Sequence, residues 1–406
     1  MRRGSSVSFL AGVGVSAFGD WLTTFALAVV LYRETGSYAA TAGYFLVRVA
    51  PRPLGAWLGG PLGDLVSPRL GILSAALTQG VITAALAIPL SLDRALWSVY
   101  VLAGLSQLVG GSWQPLTAAV MAKLATGQDR HTLNLVYISL SGGAMLVSPA
   151  IGVLLLPSLG AVPLVLADAA TFAVAAIFFA LLPVMPAGAV HRLTLRSAAL
   201  DGFTAVLRQR TLRVIAAGAF ASTVAITALQ AALPALASER FGNAADAGIL
   251  YASVGLGSIA GSLIVLWRPL RRPGVILPGI AAEIAGIGVV ALAGAPAADL
   301  LVLVASTGMA SLAQVEGGVV VQSQPAEAVG RIQGAVSTSR YLGMSGGAAL
   351  ALILAVTLRG NWEMLVVSLA IGGLILLGAS ALGPGTGSEA GMANAAANSP
   401  LAEIPD

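Results

Sequence analysis

VSFLAGVGVSAFGDWLTTFALAVVLY, residues 7–32, is a run of 26 residues with one charged side chain, Asp20, near its centre. As a helix rising roughly 1.5 Å per residue, it covers the ~30 Å hydrocarbon core of a bilayer. The run is too long for a cleaved leader, and Asp20 interrupts the apolar stretch a leader needs, so the expectation is a retained membrane helix.

Working outward, the pattern repeats almost without pause. Apolar stretches follow at 39–62, 69–91, 95–120, 132–157, 161–183, 213–237, 245–267, 274–295, 298–321, 333–358 and 361–382. With the first, that makes twelve predicted spans. Hydrophobic residues form 57% of the chain and charged residues 9%, against about 25% charge in soluble domains. Each run far exceeds the ~10-residue alternating strand of a membrane barrel. Helices, which close their own backbone hydrogen bonds, are the expectation.

The charge pattern orients the spans. With the N-terminus in the cytoplasm, 14 of the 21 basic residues fall inside and 4 outside, and Arg48, Arg52 and Arg340 fall within spans. This is the positive-inside bias. It places both termini in the cytoplasm and accounts for the net charge of +4 without nucleic acid.

Two six-span halves follow: 1–183, a cytoplasmic linker at 184–212, and 213–382, with a Gly/Ser/Ala/Asn-rich tail at 383–406 expected to be disordered. Leu200 to Leu212 has helical apolar spacing and reads as a surface helix. The halves look like a gapped repeat. Short basic turns follow the second span of each half, and Gln114…Arg130…Ser141-Gly142-Gly143-Ala144 parallels Gln314…Arg331…Ser345-Gly346-Gly347-Ala348. Parallel repeats about an axis along the membrane normal are a transporter plan.

The residues carry a resemblance. Gly19-Asp20, Thr35-Gly36-Ser37, Arg48, Pro51, Arg52, Gly60 to Asp64, Pro115, Asn134, Pro149, Gly152, Asp168 to Phe172 and Gly330-Arg331 resemble the major facilitator superfamily over 7–382. The likeness is greatest to its drug:proton antiporter branch, which holds macrolide-efflux proteins and the enterobactin exporter. Leu65, Ser67 and Ser148 depart from the pattern, which has Arg, an acidic residue or Gly, and Gly there. The resemblance implies an all-α fold of two pseudo-symmetric six-helix bundles in a bacterial inner membrane. It further implies one small-molecule substrate, lipid around it, a monomer, and a proton gradient rather than a cofactor as energy source.

Depth ranks the embedded charges. Asp20 lies about 18 Å, and Arg48 and Arg52 about 14–20 Å, below the outer ends of their spans. Each charge costs at least ~2.5–3.5 kcal/mol at the bilayer centre. The trio reads as a clamp between spans one and two, as a protonation site tuned by arginine, or as both. Glu316 reads as a latch to Arg331 or Arg340, or as a further proton site. The resemblance ranks Glu283 and Asp168 below it, and its pattern, which places Asp168 near the outer surface, implies a structural role for Asp168. Asp64 and Arg69, with Arg130, Arg331 and Arg340, form either solvated turns or, as the resemblance implies, a cytoplasmic gate.

Substrate-cavity candidates come from the spans that the resemblance places around the cavity, one, four, seven and ten: Trp21, Phe25, Gln107, Trp113, Gln114, Gln230 and Gln314. Aromatics with scattered amides suit a bulky amphipathic molecule. Gly55/Gly59/Gly63, Ser148/Gly152, Gly257/Gly261 and Gly343/Gly347 recur every four residues on spans two, five, eight and eleven. They read as generic packing or as the surface on which the halves rock.

Enzyme and ATP-driven readings find no support. No Gly-Lys-Ser/Thr phosphate loop occurs, there is no cysteine for a thiolate metal site, and both histidines fall in predicted loops. A non-transporting receptor of the same fold remains open. So does an importer or uniporter of a small polar metabolite, such as a sugar or organic acid.

Overall fold

The computed structural model describes residues 3–56, 66–92, 96–124, 127–185, 204–267, 273–293, 295–322, 324, 326–357, 366, 372–374 and 378. Regular structure within them is helical. In chain order the helices are α1 (Arg3–Thr35), α2 (Tyr38–Val49), α3 (Pro68–Ala85), α4 (Ala87–Leu92), α5 (Leu96–Gly111), α6 (Trp113–Leu124) and α7 (Gly127–Leu159). They continue with α8 (Ala161–Ala180), α9 (Arg210–Phe241), α10 (Ala247–Trp267), α11 (Ile276–Ala293), α12 (Pro296–Gln322) and α13 (Ala326–Thr357).

Eight described helical segments are long and apolar enough to cross a membrane, and α11 is a shorter apolar one. The other predicted spans are interrupted or lie mostly outside the described residues. Span two bends at Ala50-Pro51, where the proline has no N–H to continue the ladder, and resumes over 52–56. Span four breaks at Ser112 into α5 and α6. Pro115 leaves the Gly111 carbonyl without its usual donor, and Ser112 turns back, its N–H reaching the Val109 carbonyl at 3.0 Å. Only parts of span twelve are described, and the 383–406 tail is outside the described residues.

The first helix of each half ends alike. Gly36 after α1 and Gly242 after α9 take positive φ, 58° and 80°, the left-handed stop that glycine adopts without a Cβ clash. In the linker, residues 204–208 are helical, and Gln209 is extended before α9 starts at Arg210. The expected surface helix is therefore broken three residues before its predicted end, and its start lies outside the described residues.

Within one bundle α1 packs on α7 and α8, and α3 on α8; in the other, α10 and α11 pack on α12, and α9 on α13. Between bundles, α7 meets α10 and α2 meets α13. The four-residue glycine rows do not make that junction. A Cβ on Gly55 would strike the Leu108 carbonyl of α5, and one on Gly152 the Phe25 ring of α1. Gly257 and Gly261 face Thr307 and Gly308 of α12; Gly343 and Gly347 face Phe220 and Val224 of α9. Gly59 and Gly63 lie outside the described residues, and the described glycines of these rows pack inside their own bundles. Gly248 and Gly255, seven apart, are the glycines of α10 that meet α7, at Pro149–Val153 and Leu146. A four-residue spacing marks close helix approach without saying which neighbour is approached.

Hydrogen bonds between bundles cluster at the end where α1 and α9 terminate. The Arg33 guanidinium donates to Asn243 Oδ1 at 2.7 Å, Thr41 Oγ1 to the Ala231 carbonyl at 2.9 Å, and the Tyr38 hydroxyl to the Ala228 carbonyl at 3.5 Å. The bundles are closed against each other at that end.

Candidate functional site

Asp20 sits on α1 where α2, α5 and α8 converge. Arg48, on the last turn of α2, places Nη2 2.7 Å from Asp20 Oδ2. Arg52, one turn on and past the Pro51 bend, places Nη2 3.9 Å from the same oxygen. Gln107 of α5 ties the group together. Its Nε2 donates to Asp20 Oδ1 at 3.2 Å, and its Oε1 accepts from Arg52 Nε at 2.7 Å. The structure thus joins Asp20, Arg48 and Arg52 in one cluster and adds Gln107, which the sequence assigned to the substrate cavity.

Asp168 of α8 belongs to the same place. It is 1% exposed, and the Thr171 hydroxyl lies 3.3 Å from its Oδ1. Gly19 makes this possible, because a side chain there would collide with Asp168 and Thr171. Asp20, Arg48, Gln107 and Asp168, with Thr23, Tyr44, Thr83 and Ser106, line a cavity of about 10 Å³. That is room for about one water. The sequence reading placed Asp168 near the outer surface, and the structure places it beside Asp20. The family pattern gave the outer placement; the glycine next to Asp20 was the available signal.

The other acidic candidates are separate. Glu283 of α11 is buried and accepts a hydrogen bond from Ser222 Oγ of α9 at 2.5 Å. Arg340 of α13 lies within electrostatic range of Glu283, and its carbonyl accepts from Thr223 Oγ1 at 3.0 Å. Glu316 is buried on α12, with no ion pair among the described residues. Arg69 donates to the Ala180 carbonyl at 2.5 Å, capping the end of α8 in its own bundle. Asp64 and the side chains of Arg130 and Arg331 lie outside the described residues.

The cavity candidates divide. Trp21 and Phe25 pack on Tyr251 of the other bundle, with ring centroids 6.5 and 6.4 Å apart, and the Tyr251 hydroxyl donates to the Gln230 carbonyl at 2.7 Å. Phe25 is fully buried in this cross-bundle cluster. Trp113 turns into its own bundle against Phe172 and Phe179, at 6.1 and 5.7 Å. Gln114 and Gln314 are exposed.

One ion pair escaped the sequence reading. Arg240, at the end of α9, meets the fully buried Asp299 of α12 at 2.5 Å and donates to the Val290 and Ala291 carbonyls of α11 at 2.7 and 3.1 Å. It pins three helix ends together. No group of acidic or histidine side chains among the described residues has the arrangement to hold a metal ion.

The embedded charge cluster lies inside one of two packed helical bundles, and residues 9–348 match the Major Facilitator Superfamily. The chain belongs to this superfamily. Membership makes it a multi-pass membrane transporter. Among solved structures, it resembles the nucleoside transporter NupG in a mutant form, at 17% identity, covering 93% of this chain and 98% of that one, with a TM-score of 0.69. It also resembles a bacterial homologue of the human lysosomal transporter Spinster, at 14% identity, 94% and 96% coverage and a TM-score of 0.67. The human organic anion transporter MFSD10 aligns at 17% identity, 92% and 99% coverage and a TM-score of 0.65. At these identities the likeness shows the fold alone. A search of curated protein sequences gives no match.

Proposed function

We propose that the protein is a proton-coupled exporter of a drug-like or natural-product amphipathic molecule, working by alternating access in a bacterial inner membrane. The observation that carries this reading is the Asp20 cluster. A carboxylate shared by two arginines beside a water-sized polar cavity is expensive to embed. A clamp between helices needs neither the cavity nor the second arginine, whereas a proton-coupling centre uses both. One proton entering supplies about 2.3 kcal/mol per 100 mV and ~1.4 kcal/mol per pH unit. Export follows the resemblance to the drug:proton antiporters. Trp21 packs on Tyr251 across the junction of the bundles, and Trp21, Gln230, Gln114 and Gln314 are the proposed substrate contacts. Glu316, Asp64, Arg69, Arg130, Arg331 and Arg340 are the proposed members of the cytoplasmic latch. With the N-terminus inside, the closed end faces out. The protein acts as a monomer without a cofactor.

The test is transport in everted membrane vesicles with an imposed pH gradient, across a panel of fluorescent amphipathic compounds. Wild type is expected to accumulate at least one compound and to lose it when the gradient collapses. Accumulation indifferent to the gradient contradicts proton coupling, and gradient-driven movement in the opposite sense contradicts export.

A further inference from the structure

Two carboxylates share the cavity between α1, α2, α5 and α8, and their surroundings differ. Asp20 has Arg48 at 2.7 Å, Arg52 at 3.9 Å and the Gln107 amide at 3.2 Å. Asp168 has a hydroxyl neighbour, Thr171, and no cation within 4.0 Å among the described residues. It is also the more enclosed, at 1% exposure against 24% for the Asp20 side chain. The other titratable or charged groups facing Asp168 are Asp20 on α1 and Tyr44 and Arg48 on α2; α3 and α5 contribute Thr83, Ser106 and Gln107 to the cavity wall.

We propose that Asp168 is the carboxyl group that takes up and releases the exchangeable proton, while Asp20 remains the standing counter-charge of Arg48 and Arg52. This rests on the proton-coupled reading above and names its proton carrier. An ionised carboxylate buried without a cation costs several kcal/mol, which a bound proton removes. Asp20 gains little from a proton, because losing its charge would strand two arginines.

The charges balance simply. With Asp168 protonated, Asp20, Arg48 and Arg52 sum to one positive charge. When the proton leaves to the cavity water, the cluster becomes neutral, with two carboxylates for two guanidiniums. Arg48 is then divided between Asp20 and Asp168. Asp20 completes its pairing by drawing in Arg52 across the present 3.9 Å gap, and Arg52 gives up the Gln107 oxygen. Arg52 follows the Pro51 bend in the span that packs on α13 of the other bundle. Its release and recapture would carry the protonation state of Asp168 to the junction of the bundles.

The experiment is infrared difference spectroscopy of the purified full chain across a pH titration, following the C=O stretch of protonated carboxyls. No substrate is needed. Wild type is expected to show a buried component that Asp168→Asn loses, Asp168→Glu moves in frequency and Glu283→Gln keeps. The Glu variant reports on the site even if the Asn variant fails to fold. Asp168→Asn or Asp168→Glu spectra that superimpose on wild type overturn the proposal. A missing vesicle transport signal alongside the expected spectra would instead contradict the export reading and leave the proton site in place.

Discussion

The two bundles each bury acid and base, and they do it differently. In the first, Asp20 meets two arginines with unequal distances, 2.7 and 3.9 Å, next to a cavity and a second carboxylate. In the second, Arg240 meets the fully buried Asp299 at 2.5 Å and also donates to two carbonyls at a helix end. The Asp20 cluster has a second arginine and a second carboxylate beside a cavity, whereas the Arg240 pair is braced by backbone carbonyls at a helix end. Embedded charge can therefore serve exchange or anchorage, and the surroundings of the pair distinguish the two.

The largest stability effect should come from the anchor. Arg240→Ala leaves a buried carboxylate alone and should cost about 3–5 kcal/mol. Thermal unfolding in detergent would read this. The double change Arg240→Met with Asp299→Leu should recover most of the loss. If Arg240→Ala instead left stability intact and altered the pH dependence of transport, the contrast between the bundles would break down.

The glycines sharpen the comparison at the moving surface. Gly255 of α10 abuts the Leu146 backbone of the other bundle, and Gly261 abuts Gly308 of its own. Leucine at either position overpacks by ~1–3 kcal/mol. At Gly255 the cost should appear as roughly ten-fold slower turnover, and at Gly261 mainly as a lower melting temperature. Equal effects of both variants on turnover would mean that the α7–α10 junction does not move in transport.

A smaller effect is expected at the closed end. Thr41→Val removes one hydrogen bond between bundles, worth about 0.5–1.5 kcal/mol, and should open that end by a few-fold. The chain has no cysteine, so a single cysteine placed at the buried Ala42, next to Thr41, would report accessibility by its labelling rate. An unchanged rate would show that other contacts hold the end shut.

Much of this was legible in the sequence. Apolar run length gave the spans because lipid demands it, and the depths of Asp20, Arg48 and Arg52 put them at one level because helical rise is fixed. What stayed hidden depended on rotation about a helix axis or on contacts far along the chain. Gly257 and Gly261 could have faced either bundle. Trp113 could have pointed into the cavity or, as it does, toward Phe179. Arg240 counts among the four basic residues on the outer side, and its partner Asp299, far along the chain, begins another helix. Pro51 and Pro115 were visible, yet the interruptions they make in spans two and four were not read from apolar length alone. Glu283 ranked below Glu316 because the resemblance places span ten, not span nine, around the cavity, and the contact with Ser222 lies far along the chain.

The central claim is that the Asp20 cluster couples proton movement to transport, and proton flux tests it most directly. Proteoliposomes loaded with a pH-sensitive dye would be challenged with a compound that wild type accumulates in vesicles. Wild type should move protons on addition of the compound, and Asp20→Asn should bind the compound but move none. Proton movement at the wild-type rate in Asp20→Asn, or compound transport without any proton signal in wild type, would contradict the account.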